Sequence, residues 1–124
     1  MTFVVPGEPV PKDRHRTDEY GNRYNPSEKA EEFVQACYIA AMGKTEPVGK
    51  VTFRLTCVFY TKNRQVKDVD NMWKLVADAL QGLIWKNDSQ VWDMGGSHRE
   101  IDKANPRTSV EVREVTVIEV RDGY

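Results

Sequence analysis

The chain has 124 residues, of which 40% are hydrophobic and 30% charged, and its formal net charge at pH 7 is −1. This length and composition are typical of a globular protein with one hydrophobic core, so we expect a single domain over residues 1–124. No apolar run reaches the roughly 20 residues that a membrane-spanning helix needs, so we expect no membrane contact. The net charge argues against a protein that binds nucleic acid through overall positive charge alone.

The N-terminal part predicts a short strand followed by a positively charged loop. The first residues are mostly apolar, and prolines at positions 6, 9 and 11 end the strand in an extended segment. The loop that follows carries cations between aromatic and turn residues, a composition that suits contact with a phosphate backbone. A solvated charged loop has the same composition, so both interpretations stay open. The candidate DNA contacts in this loop are Lys12, Arg14 and Arg16.

A helix and a strand are predicted next. Asn25 can cap a helix whose first turn holds Pro26 and Glu28, and apolar residues at helical spacing continue to a stop near Gly43. Residues 51–60 then alternate between apolar and polar side chains, which is the pattern of a strand with one buried face.

The two cysteines are far apart in the chain. Cys37 falls in the predicted helix and Cys57 in the predicted strand, and neither belongs to a CxxC pair. Both are interpreted as buried reduced thiols, which is consistent with the cytoplasm, and a disulfide between them has no support in the pattern.

The most informative stretch is residues 67–88. Apolar residues at helical spacing predict an amphipathic helix that runs to about Ile84. Asp68 and Asp70 lie at its start, and Asp88 lies just beyond its end, before a predicted strand. Carboxylate oxygens are the ligands that a hard cation such as Mg²⁺ prefers, so this helix and the loop that leaves it could gather three of them.

Each of these aspartates also has an ordinary structural explanation. Asp68 can be a helix N-cap, and Asp88 can belong to a turn. Asp70 can form an exposed ion pair with Lys74 one helical turn away. Taken together, however, these side chains place more polar groups at the start of the helix than capping requires.

A second basic loop directly precedes the helix. Its cations could hold the phosphates that adjoin a metal-bound phosphodiester. The candidate DNA contacts in this loop are Lys62, Arg64 and Lys67.

The C-terminal third of the chain predicts further strands. Residues 91–94 form a short one, Gly95 and Gly96 suit a bulge or turn, and residues 98–100 can continue as strand. Residues 108–120 hold a slipped alternation that predicts one long bulged strand or two pieces. The expected fold is therefore an α+β domain with a small mixed sheet of about four strands and two main helices.

Residues 67–80 closely resemble the core motif of the RusA family of Holliday-junction resolvases, a D-x-D-N-x-x-K…D-A-L pattern. Residues 85–91 resemble the family's next motif, an aspartate before a short polar link and a strand. Residues 5–9, with the cations that follow, resemble its N-terminal G-x-P-x-x-K-x-R segment. The order of predicted elements also fits the family along most of the chain, which implies a RusA-like fold.

The resemblance implies a small homodimeric, Mg²⁺-dependent endodeoxyribonuclease that cuts symmetrically related strands of a four-way DNA junction during recombination and repair. Members of the family are often encoded by phages and prophages. Carried over by position, Asp68, Asp70 and Asp88 match the catalytic, metal-binding aspartates. Lys74 matches the essential lysine. Asp78 also fits the motif, and its position one helical turn from Lys74 suits a structural ion pair with that lysine. The loop before the motif is less densely basic than a run of arginines, which bears on junction selectivity rather than on chemistry.

Three other functions remain open on the residues alone. The chain could be a non-catalytic module that binds DNA or RNA, in which the aspartates only cap and pair. It could be a structural or regulatory interaction protein whose acidic helix face is merely solvated. It could also be a metal-dependent nuclease for another branched or flapped DNA, which is close to the family's activity.

Overall fold

A ten-residue strand lies at the centre of the sheet in the computed structural model of this chain. The structure describes residues 1–12, 16–17, 23–24, 28–41, 47, 49–65 and 67–115. In chain order the strands are β1 (Thr2–Pro6), β2 (Arg16–Thr17), β3 (Arg23–Tyr24), β4 (Thr52–Thr61), β5 (Val91–Asp93), β6 (His98–Ile101) and β7 (Arg107–Val115). The helices are α1 (Glu28–Ala41) and α2 (Val69–Leu80), and a 3₁₀ turn spans Asp88–Gln90.

The central strand is β4, and every second residue along it is buried. Successive side chains of a strand point to opposite faces, so this alternation directs one complete set of side chains into the core. The buried residues of β4 are Phe53, Leu55, Cys57, Phe59 and Thr61. The period-two pattern of the sequence therefore fixes which face of the sheet carries the core.

Strand pairing gives β4 neighbours on both edges. On one edge it pairs antiparallel with β7, which in turn pairs antiparallel with β1. On the other edge it pairs in parallel with two short strands, β5 near its start and β6 near its end. The result is a five-stranded mixed sheet in the order β1-β7-β4-β5, with β6 also beside β4, while β2 and β3 pair as a separate two-stranded sheet.

Side chains complete the edge of β4 where the chain turns between β5 and β6. The hydroxyl oxygen of Ser97 accepts a hydrogen bond from the Cys57 N–H at 2.8 Å. The indole N–H of Trp73, from α2, donates to the Leu55 carbonyl at 2.9 Å. These bonds satisfy backbone groups that a strand ladder would otherwise pair, and the second one ties α2 to the sheet.

The two helices pack against each other, and α1 also contacts β1 while α2 contacts β4. The buried residues of α2 are Met72, Leu75, Val76, Ala77, Ala79 and Leu80. Beyond the helix, Trp85 is fully buried and lies against Phe53, with 5.5 Å between the ring centroids. Burying a large apolar side chain contributes about 2–3 kcal/mol, so this face holds α2 firmly in place.

The structure confirms the predicted α+β class, with two main helices and a small mixed sheet. The sheet has five strands rather than about four, because β6 pairs as a strand of its own. The predicted end of α2 near Ile84 was wrong, since the helix ends at Leu80. Gly82 has a left-handed φ of +87°, and the Ile84 N–H still bonds the Leu80 carbonyl at 3.0 Å, so the chain closes one turn instead of extending the helix.

Other expectations are met or lie outside the described residues. Gly95 and Gly96 form the predicted turn, both with positive φ. Cys37 and Cys57 are buried free thiols, as predicted, and burial raises the pKa of Cys37 to about 12. The predicted helix start at Asn25, its stop near Gly43 and residues 116–120 fall outside the described part of the chain. Within that part, no helix is both long and apolar enough to cross a membrane.

Candidate active site

The first turn of α2 holds the acidic pair that the sequence singled out. Asp68 is the N-cap, with extended backbone, and its Oδ1 accepts a hydrogen bond from the Asp70 N–H at 3.0 Å. The Asp68 carbonyl accepts from the Met72 N–H, which begins the helical ladder. Carboxylates are stabilised here by free N–H groups and by the positive end of the helix dipole. The capping role predicted for Asp68 therefore holds, and it uses one carboxylate oxygen.

Lys74 lies one turn further along the same face. Its Nζ is 3.0 Å from Asp70 Oδ2, and the two side chains are 53% and 54% exposed. An ion pair this exposed stabilises a helix only weakly, by a few tenths of a kcal/mol, so its groups remain available to bind a ligand.

Asp78 does not form the pairing with Lys74 that its position suggested. Its Oδ2 lies 2.5 Å from the Nζ of Lys12, from the segment after β1. The backbone N–H of Lys12 also donates to the Asn71 carbonyl at 2.9 Å. The N-terminal segment is therefore bound along α2, and this long-range contact takes Asp78 away from Lys74.

Asp88 is the first residue of the 3₁₀ turn before β5 and is exposed. Its backbone N–H donates to the side-chain oxygen of Gln81, the residue that caps the C-terminus of α2, at 3.0 Å. Asn87 caps the turn by accepting from the Ser89 N–H, and the Gln90 side chain completes a capping box. The backbone that carries Asp88 is thus well fixed at the far end of α2.

The structure does not bring Asp88 together with Asp68 and Asp70. Asp70 and Leu80 are separated by about 15 Å of helix, at 1.5 Å per residue, and Asp88 is attached just past that end. Within the described ranges, no three Asp, Glu, His or Cys side chains are placed to hold one metal ion. Asp68 and Asp70 remain a pair of exposed hard-oxygen donors, which fits Mg²⁺, an ion usually held by one or two carboxylates together with water and phosphate oxygens.

The cations of the basic loop between β4 and α2 differ in how far their side chains are exposed to solvent. Lys62 and Arg64 are exposed. Lys67 is only 16% exposed, and its Nζ donates to the Pro9 carbonyl at 2.9 Å and lies 3.7 Å from the Glu8 carboxylate. Burial lowers the pKa of the Lys67 ammonium, and the neighbouring Glu8 carboxylate offsets part of that effect. Lys62 and Arg64 are therefore placed to meet a ligand, whereas Lys67 is engaged inside the protein.

Two residues that hold this loop were missed by the sequence reasoning. Glu8 accepts a hydrogen bond from the Lys62 N–H at 2.8 Å. Arg99, on β6, donates to the Thr61 hydroxyl at 3.1 Å and to the Asn63 carbonyl at 2.7 Å. Both lie more than thirty residues from their partners in the sequence, so no local pattern could have revealed the contacts.

Part of the predicted DNA surface falls outside the described residues. Arg14 lies in an undescribed segment, and only the backbone of Arg16 is described, where it pairs with Tyr24 between β2 and β3. The DNA contacts predicted for these two side chains stay predictions. Lys12 is described, and its side chain is 44% exposed despite the pairing with Asp78.

Residues 6–113 match the sequence model of a family described as endodeoxyribonuclease RusA. The match begins at the last residue of β1 and ends inside β7, so it includes both helices, the acidic positions and the basic loop. It confirms the family that the motif at the start of α2 predicted. A comparison with curated proteins finds no match.

Proposed function

This chain belongs to the RusA family of endodeoxyribonucleases, and we propose that it resolves Holliday junctions by Mg²⁺-dependent hydrolysis of paired phosphodiester bonds. As a family member it is a hydrolase that acts on DNA junctions. The observation that carries the finer proposal is the arrangement at the start of α2, where Asp68 and Asp70 are two exposed carboxylates and Asp70 lies beside Lys74. We further propose that it acts in the cytoplasm, on intermediates of recombination and repair.

The acidic pair would hold the ion through the carboxylate oxygens of Asp68 and Asp70 that face solvent. When bound, Mg²⁺ lowers the pKa of a coordinated water and offsets the negative charge that builds up on a phosphate under attack. One oxygen of Asp68 accepts a hydrogen bond from the Asp70 N–H, and one oxygen of Asp70 lies 3.0 Å from the Lys74 ammonium, so each carboxylate has a contact that orients it. This orientation matters because ligands that are misplaced by even about 0.5 Å reduce activity.

Lys74 would supply a second positive charge at the scissile phosphate. Its ammonium already lies 3.0 Å from Asp70, so the charge is held beside the acidic pair. An ammonium is a compact charge on a flexible stem, and it can exchange the Asp70 oxygen for a phosphate oxygen at low cost because the pair is exposed.

The DNA surface would consist of cations on the two sides of the acidic pair. Lys62 and Arg64 project from the loop that leads into α2, and Lys12 lies along the helix itself. Contacts from lysine and arginine to phosphates position DNA without reading its sequence. We propose Arg14 and Arg16 as further phosphate contacts on the evidence of the sequence alone.

A four-way junction has two symmetry-related strands to cut, so the enzyme would act as a homodimer with one active site per subunit. Asp88 would be the third catalytic carboxylate. Since α2 separates Asp88 from Asp68 and Asp70 within one chain, the third carboxylate would come from Asp88 of the partner subunit. Each active site would then need both chains, which also couples dimer formation to cleavage.

The test is cleavage of a synthetic four-way junction beside a linear duplex of the same sequence, each with Mg²⁺ and with EDTA. We expect paired cuts in the junction with Mg²⁺, and no cutting of the duplex or of either substrate in EDTA. Cleavage of neither substrate would contradict the nuclease mechanism and favour a binding module. Equal cleavage of both, or preference for a flapped substrate, would contradict junction specificity.

A further inference from the structure

The segment after β1 is bonded to the loop that leads into the acidic pair. Glu8 Oε1 accepts from the Lys62 N–H at 2.8 Å, near the start of that loop. The Nζ of Lys67, at the end of the loop, donates to the Pro9 carbonyl at 2.9 Å and lies 3.7 Å from Glu8 Oε1. One carboxylate thus meets both ends of the loop, and the neighbouring carbonyl holds the second end again.

These contacts are more protected from solvent than the other ion pairs around α2. The side chains of Lys67 and Glu8 are 16% and 25% exposed, against 53% and 54% for Lys74 and Asp70. Pro9 is fully buried beside them. A partly buried pair that also bonds backbone groups is costly to break, because each group left behind would be desolvated without a partner.

We propose that Glu8 and Lys67 are positioning residues, which fix the approach of the chain to Asp68, and that Lys67 does not contact DNA. Lys67 directly precedes Asp68, so holding its side chain to the N-terminal segment holds the N-cap in place. This revises the DNA contact that was predicted for Lys67. The positioning of Asp68 as a metal ligand rests on the proposed function, whereas the statement that Lys67 does not contact DNA is tested independently of metal and cleavage.

A matched pair of lysine substitutions in one loop tests the assignment. Lys62→Ala and Lys67→Met each remove one positive charge, from an exposed and from an engaged side chain. DNA binding is measured in EDTA at several salt concentrations, so that no metal is needed. We expect Lys62→Ala to weaken binding and to reduce the slope of log affinity against log salt by about one, and Lys67→Met to leave that slope unchanged. An equal reduction of the slope by both variants would overturn the proposal.

Cleavage of a four-way junction gives the second readout. We expect Lys67→Met and Glu8→Gln each to reduce the cleavage rate by about tenfold or more at low Mg²⁺, as loss of residues that orient metal ligands commonly does. Glu8→Gln keeps the size of the side chain and an oxygen that can accept from the Lys62 N–H, so it removes mainly the charge facing Lys67. Wild-type cleavage rates in both variants would overturn the positioning role.

A double variant, Glu8→Gln with Lys67→Met, tests whether the two residues act as one pair or independently. Its measurement is protein stability, which does not depend on cleavage. The urea midpoint of unfolding is compared among wild type, both single variants and the double variant. We expect the double variant to unfold at nearly the same urea concentration as the less stable single variant, because the first substitution already breaks the pair. Additive shifts would overturn the proposal. Absence of cleavage by the wild-type protein would instead overturn the proposed function, and the salt slopes and unfolding midpoints would still decide this inference.

Discussion

Replacing Asp70 with asparagine is expected to slow junction cleavage by about 10³-fold or more, while DNA binding is kept or strengthened. The substitution keeps the shape of the side chain but removes the negative charge that would hold Mg²⁺. A factor of 10³ corresponds to about 4 kcal/mol of transition-state stabilisation, which is within the several kcal/mol that a catalytic metal ion contributes. Binding should not fall, because a negative charge facing the DNA backbone is removed and Lys74 loses its ion-pair partner.

Single-turnover cleavage and DNA binding in EDTA, measured on the same preparation, check this expectation. Stability should change by only about 1 kcal/mol, the combined scale of an exposed ion pair and a helix-dipole contact. Glu31→Gln, an exposed acid on α1, is the control for a change of net charge and should cleave like the wild type. Substantial cleavage by Asp70→Asn would remove Asp70 from the active site. Loss of cleavage accompanied by a large fall in the unfolding midpoint would indicate a structural role instead.

Replacing Gly95 with alanine is expected to destabilise the fold by about 3 kcal/mol, and replacing Gly96 by only about 1 kcal/mol. Both glycines have left-handed backbone, with φ of +62° and +74°, so both substitutions share the backbone cost. A Cβ at Gly95 would overlap the Thr56 hydroxyl and lie 3.0 Å from Arg54 Cγ, whereas a Cβ at Gly96 would meet no atom within 4 Å. The difference between the two losses of stability therefore measures how closely the turn packs against β4.

Urea unfolding of the two variants, with the free energy extrapolated to water, provides the comparison. We also expect Gly95→Ala to disturb α2, because this turn lies beside the carbonyl of Leu55 that binds the Trp73 indole. Equal losses of stability would mean that Thr56 and Arg54 move aside without cost, and that the turn is less closely packed than the structure indicates.

Much of the fold could be predicted because its long elements have strong periodic patterns. β4 alternates apolar and polar residues over its full length, and α2 places its apolar residues at helical spacing, so local rules were enough. The short strands β5 and β6 were harder, since their parallel register beside β4 is set by tertiary packing rather than by their own residues. The early end of α2 has a local cause instead, because Gly82 turns the chain before the apolar pattern stops.

The candidate site was predictable in its residues and less so in its geometry. The acidic pair follows from two aspartates one residue apart at a helix start, a local feature. Lys67 reads in the sequence as one more cation of a basic loop, and only the fold shows it bound to Glu8 and Pro9. The position of Asp88 also depends on the fold. The sequence places it soon after the helix that Asp68 caps, but the twelve residues of that helix hold its two ends far apart.

We propose that Asp70 and Asp88 serve one active site across two subunits, since α2 separates them within each chain. Mixing Asp70→Asn with Asp88→Asn protein, after mild denaturation and renaturation to exchange subunits, tests this arrangement. Each variant alone should be inactive, whereas a dimer with one subunit of each kind keeps one intact site if Asp88 acts from the partner subunit. An equal mixture should then regain about a quarter of the wild-type sites and nick junctions on one strand without resolving them. A mixture as inactive as its two components, with exchange of subunits verified, would contradict the shared site.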